Sequence, residues 1–146
     1  MPVKDKIKFQ LITPERIVME TEIDEAIIPT QEGLVGILPN HTPLVSLLKP
    51  GAMILRNQGQ ETLLAVGTGS VEVLNRKVIV LADAAERAEE IDIDRAEKAR
   101  QEAEKLMKQK PPEGVDYAAL MAKIEKDLAW ARVAQKRKYR RSRSKT

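Results

Sequence analysis

The chain reads as a β-plus-α protein, with an N-terminal β-sandwich over residues 1–85 and an antiparallel two-helix hairpin with a basic tail over residues 86–146. Three observations predict this. As far as Ala82 the apolar residues alternate or run in short blocks, as in Lys77-Val78-Ile79-Val80-Leu81-Ala82. From Ala84 onward the pattern becomes charged, alanine-rich and helical in period. That helical stretch is broken by Pro111-Pro112-Glu113-Gly114, which cannot continue a helix and therefore marks the bend between two arms. The arms hold too few large apolar residues to form a core alone. They must lean on each other, on the β unit or on another protein.

Taken in order, Ile7-Lys8-Phe9-Gln10-Leu11-Ile12 alternates as a half-buried strand does. Thr13-Pro14-Glu15-Arg16 is a turn, with Pro14 presetting φ at its second position. Further strands are expected at 17–22, 25–28, 35–38, 45–48, 52–56, 62–66, 70–74 and 77–82. Gln58-Gly59, Gly67-Thr68-Gly69 and Asn75-Arg76 supply turn chemistry between them, the last two read as hairpin turns. Short strands with turns at this spacing indicate a sandwich or barrel, and Val, Ile and Leu at the inward positions favour a sandwich. In the first arm Asp92 is the N-cap, with Asp94 as an alternative, and Ala96, Ala99, Ala103 and Leu106 or Met107 form one stripe. Asp116 caps the second arm, whose stripe is Tyr117, Leu120, Met121, Ile124, Leu128 and Ala131. An alanine stripe buries little area, so the pair is thinly held and able to open where another surface offers more.

Composition narrows the function. There is no cysteine, which excludes disulfides and thiolate metal sites, and no apolar run approaches a membrane span of ~18 residues. The N-terminus lacks an apolar signal stretch, which points to a protein made and used in the cytoplasm. The net charge of +3 conceals a basic end: residues 136–146 hold seven Lys or Arg and no acid, leaving the remainder at −4. One Trp, two Tyr and one Phe offer little base stacking, though the tail keeps a nucleic-acid-binding module as the alternative reading. His41 is the single histidine and lies between Pro39 and Pro43, without a nucleophile or metal-ligand set at recognisable spacing. A structural or contact role suits it better than catalysis. Gly67-Thr68-Gly69-Ser70 precedes a strand and lacks a P-loop lysine. Asp92 and Arg95 share a face at a helix start, where a cap with a surface ion pair is the simpler reading and an anion site the sharper one.

Several segments together resemble the epsilon subunit of F-type ATP synthases. They are Gly33-Leu34-Val35-Gly36-Ile37-Leu38-Pro39-Asn40-His41-Thr42-Pro43-Leu44, Lys49-Pro50-Gly51, Val66-Gly67-Thr68-Gly69-Ser70-Val71-Glu72-Val73 and the junction from Leu81 to Asp92. The resemblance runs from about Ile7 to Val133. It implies a β-sandwich of about ten strands followed by the hairpin, in a non-catalytic subunit of the rotating central stalk. The implied partners are the gamma subunit, the ring of c subunits and, with the hairpin extended, the alpha/beta catalytic head, where ATP hydrolysis is inhibited. The implied location is peripheral, on the cytoplasmic face of the cell membrane. Gln31, Glu32, Gly33 and Leu34 would face the c ring, with His41 near gamma. Arg132, Lys136, Arg137, Lys138, Arg140 and Arg141 would meet acidic surfaces of the head. No cofactor is required. Some relatives bind a regulatory ATP through a motif that Ile91, Asp92, Arg95 and Ala96 match. Those relatives also use two arginines on the second helix, where this chain has Lys126 and Trp130. Lysine keeps the charge without the bidentate fork and tryptophan has neither, so nucleotide binding is expected to be weak.

Overall fold

Strand pairing, more than local propensity, decides the N-terminal part. The computed structural model describes residues 5–144, with side chains described as far as Arg137. Ten strands form: β1 (Ile7–Ile12), β2 (Ile17–Ile23), β3 (Glu25–Thr30), β4 (Gly33–Ile37), β5 (Leu44–Leu48), β6 (Gly51–Asn57), β7 (Gln60–Val66), β8 (Gly69–Leu74), β9 (Lys77–Ala82) and β10 (Ala85–Arg87). They lie in the order β10-β7-β6-β3-β5-β8-β9-β1-β2, with β4 paired to β3 off that path. All pairs are antiparallel except β1 with β9. The sheet folds over on itself so that β2 returns against β6, enclosing a core of Phe9, Leu11, Ile28, Met53, Leu64 and Val80. Then follow a single 3₁₀ turn (Ala88–Glu90), helix α1 (Ile93–Lys108) and helix α2 (Tyr117–Ser144). This is the expected ten-strand sandwich with a two-helix hairpin.

Every expected strand is present, with ends shifted by at most two residues. Two local readings are corrected. Ala85–Arg87 belongs to the alanine- and glutamate-rich stretch read as helical, yet it is an edge strand in which Ala85 pairs with Val66 and Arg87 with Leu64. The free edge of β7 offers this segment hydrogen-bond partners, and the first helix cap comes only at Asp92. The second correction concerns Gly67-Thr68-Gly69, which is not a hairpin turn. β7 pairs with β6 and β10, whereas β8 pairs with β5 and β9, so this link carries the chain from one layer of the sandwich to the other. The β9–β10 link crosses beside it: Gly67 N–H donates to Ala84 O at 2.9 Å, Asp83 N–H to Thr68 O at 2.8 Å, and the Thr68 hydroxyl to Asp83 Oδ2 at 3.0 Å. Asn75-Arg76 is the expected tight hairpin, both residues at positive φ (51° and 60°) as a type I′ turn demands.

The crossing explains one glycine. A Cβ on Gly69 would stand 1.8 Å from Leu81 O and 2.9 Å from Ala82 Cα, both backbone atoms of the paired strand. Gly69→Ala is therefore expected to cost about 2 kcal/mol or more, read as a lowered urea midpoint with an unchanged m-value. A Cβ on Gly67 would meet the Asp83 carboxylate first, the end of a side chain able to turn aside, so Gly67→Ala should cost less.

Candidate functional site

The outer faces of the two layers are treated differently, and this sets up both candidate surfaces. On β6 and β7 the residues alternate between the sandwich core and a second cluster. Leu64 and Val66 point inward, while Leu63 and Ala65 point outward against Ala88, Ile91, Ala96, Val133 and Ala134. Leu63-Leu64-Ala65-Val66 is thus an unbroken buried run because α2 covers the far face of its strand. Helix α1 packs in turn on α2, and Ala96, Ala103, Ile124, Ala129 and Ala131 are all buried. The hairpin is folded back on the sandwich. The expected stripes hold through their middles, but Met107 and Tyr117 at the bend are 57% and 61% exposed, beyond the reach of the sandwich. α2 buries two faces, which its single expected stripe did not anticipate.

Polar groups gather where the hairpin meets the sandwich. Asp92 caps α1, its carboxylate accepting from the Arg95 N–H at 3.1 Å, and Asp116 accepts from the Ala119 N–H at 3.2 Å at the start of α2. The Trp130 indole N–H donates to Glu86 Oε1 on β10 at 2.9 Å, and Lys126 Nζ stands 5.4 Å from the centre of the same ring. Arg137 Nη1 donates to Ala88 O at 2.6 Å and Ile91 O at 3.1 Å, the carbonyls at the 3₁₀ turn. An open cleft of about 480 Å³ lies here, lined by Glu86, Glu90, Asp92, Arg95, Lys126 and Asp127 among others. On α1, Arg100 bridges Glu97 and Glu104. The hydrogen bonds it donates, to Glu97 first and then to Glu104, raise its guanidinium above its ordinary range.

The other layer keeps its outer face bare. β5 is apolar on both faces: Leu44, Ser46 and Leu48 face inward, with Leu48 in the core and Ser46 8% exposed, while Val45 and Leu47 face outward at 77% and 64%. Cross-strand register places Leu47, Ser70, Leu81, Ile12 and Ile17 in one row across β5, β8, β9, β1 and β2. Leu47, Leu81 and Ile17 are large, apolar and exposed along it. Large apolar side chains grouped on an exposed sheet face are the usual signature of a contact surface. His41, next to β5, is half-exposed, its Nδ1 2.7 Å from Thr42 O.

Residues 6–88 match the family described as ATP synthase, Delta/Epsilon chain, beta-sandwich domain, and residues 89–135 its long alpha-helix domain. The chain belongs to the ATP synthase delta/epsilon family. Proteins named ATP synthase epsilon chain are similar over three quarters or more of their length. That of Chloroflexus aggregans is 42% identical over 138 residues, covering 94% of this chain and 99% of the relative. That of Myxococcus xanthus is 39% identical over 124 residues, covering 85% and 91%. Among solved structures, a chain of the Euglena gracilis mitochondrial ATP synthase, OSCP/F1/c-ring in rotational state 1, shares the fold with a TM-score of 0.73 at 24% identity, covering 85% of this chain and 78% of that one.

Within this delta/epsilon frame, Ile91, Asp92, Arg95, Ala96 and Lys126 all line the one cleft at the hairpin base. Gln31 and Glu32 form the β3–β4 turn, which Thr30 ties by donating its hydroxyl to Gly33 O at 2.8 Å. Gln31 donates to Leu48 O at 3.3 Å, Gly33 is exposed, and Leu34 is 71% exposed. Arg132 and Lys136 are exposed, whereas Arg137 is committed to the 3₁₀ turn in this folded form. The side chains of Lys138, Arg140 and Arg141 lie outside the described residues. Sequence reasoning missed Glu86, because its segment read as helix, and the outward-facing Val45 and Leu47. Val45-Ser46-Leu47 itself carried the latter signal, an apolar–polar–apolar alternation whose polar residue was free to face either way.

Val133 is fully buried in the cluster with Leu63 and Ala65. Val133→Asp would set an unpaired carboxylate there. It is expected to speed amide exchange across α1 and α2 at least tenfold while exchange in β1 and β9 is unchanged, as read by hydrogen–deuterium exchange.

Proposed function

We propose that this chain is a non-catalytic rotor subunit of the central stalk of an ATP synthase. Its bare sandwich face docks on the gamma subunit, its β3–β4 turn rests on the c ring, and its hairpin inhibits ATP hydrolysis when extended into the alpha/beta head. The observation that carries this reading is the apolar outer face of β5, where Val45 and Leu47 stand in water beside Leu81. Hydrophobic free energy acts against that arrangement unless a partner covers the face. Family membership supplies the assembly, since the relatives are epsilon chains of ATP synthase. A structural relative from Tetrahymena thermophila, at 15% identity and a TM-score of 0.64, is described as central stalk/c-ring.

The hairpin suits a switch. Its contacts with the sandwich run through Ile54, Leu63, Ala65, Trp130, Val133 and several alanines, with polar ties from Trp130 and Arg137, a modest patch for a helix of 28 residues. A competing surface shifts such an equilibrium only by its differential contacts. The exposed Arg132 and Lys136 are the described cations that would meet an acidic head, and salt should weaken that contact. Among the described residues no helix is long and apolar enough to cross a membrane. We place the subunit on the cytoplasmic face of the membrane, held there through the complex. Among the described residues no feature beyond positive charge favours a nucleic-acid-binding role.

Leu47→Asp should weaken binding to gamma by at least tenfold in a titration followed by light scattering or calorimetry, and unchanged affinity would remove this face from the interface. Truncation after Gly114 should relieve inhibition of hydrolysis by the matching catalytic head without lowering gamma affinity. Hydrolysis that stays inhibited by the truncated form would remove the regulatory half of the proposal.

A further inference from the structure

The cleft at the hairpin base is the place where a polyphosphate ligand would be expected to fasten the folded form, and its residues fit such a ligand poorly. Glu86, Glu90, Asp92 and Asp127 stand there against Arg95 and Lys126, an excess of two negative charges facing any incoming phosphate. Position 130 presents a tryptophan whose N–H already donates to Glu86, and Lys126 lies toward the face of that ring. The same residues complete a connection within the chain. Trp130 ties α2 to β10, and two helical turns further along Arg137 ties α2 to the carbonyls of Ala88 and Ile91. These contacts flank Val133 and Ala134, the apolar centre of the patch.

We infer that the folded hairpin of this chain is fastened by its own side chains, through Trp130–Glu86 and Arg137–Ala88/Ile91, and that its docking does not respond to nucleotide. This rests on the proposed role of the hairpin as the moving element and adds how its resting state is set. A partner that draws the hairpin out must break both contacts, leaving Glu86 and two carbonyls to be resolvated. Release is then governed by competing protein surface rather than by the level of a small molecule.

The chain has no cysteine, so a spin-label pair at exposed Gln58, in the β6–β7 turn, and exposed Gln135, on α2, reports docking in the full-length protein. The expected result is a dominant short distance with a minor long-distance population, both unchanged by millimolar Mg-ATP. Glu86→Ala and Trp130→Phe should each raise the long-distance population about tenfold, and Glu86→Gln, which keeps an acceptor oxygen, should recover most of the loss. Hydrogen exchange in β1 and β9 checks that the sandwich stays folded in each variant. A population in the unmodified protein that shifts with ATP overturns the inference, as does an unchanged population in both Glu86→Ala and Trp130→Phe. Because the readout uses the isolated chain, failure to inhibit a catalytic head would count against the functional proposal and leave this result standing.

Discussion

The seating of α2 on the outward side of β6 and β7 is the constraint on which the rest of the structure depends. Leu63 and Ala65 are apolar residues on a sheet face that would otherwise be wet, and Val133 and Ala134 are their cover. That contact fixes where α2 lies, α2 gives the alanine side of α1 something to pack on, and the 3₁₀ turn with β10 delivers the chain to the required corner. Without it the hairpin would be two charged helices facing each other through small side chains, a marginal arrangement in water.

The sandwich thus carries one apolar outer face covered by its own chain and another left open. The two are built by different means. On β7 the apolar run is continuous and both sides of the strand are covered by the chain itself; on β5 Leu44 and Leu48 face the core with Ser46 between them, and the equally apolar Val45 and Leu47 stand outside uncovered. Placing the crossing links at Gly67–Thr68 and Asp83–Ala84 lets two layers form from one hydrogen-bonded sheet, and Gly69 permits the close backbone approach this needs. A sandwich with one apolar outer face covered by its own helix and the other left open follows from those choices.

Polar contacts at the hairpin base refine this balance more than they create it. Trp130 and Arg137 add directional bonds at two points of an apolar patch, so sliding or partial lifting of α2 loses them together. The geometry favours a hairpin that is either seated or released. A two-state element of this kind is what the proposed regulatory role would require.

The residues by themselves determined the number and order of nearly all elements, because strand alternation, glycine and proline turns and the Asp92 and Asp116 caps are local signals. They also located Ile91, Asp92, Arg95 and Ala96 at a helix start and set Lys126 on the facing arm. Tertiary structure alone decided matters that involve a partner distant in the chain. Ala85–Arg87 became a strand because β7 had a free edge, and Gly67-Thr68-Gly69 became a crossing because its flanking strands pair elsewhere. The second buried face of α2 exists because a sheet lies beneath it, and Trp130 found Glu86 across 44 positions of sequence. A periodicity reports only that one side of an element is apolar. Which surface covers that side is set by the folded path of the whole chain.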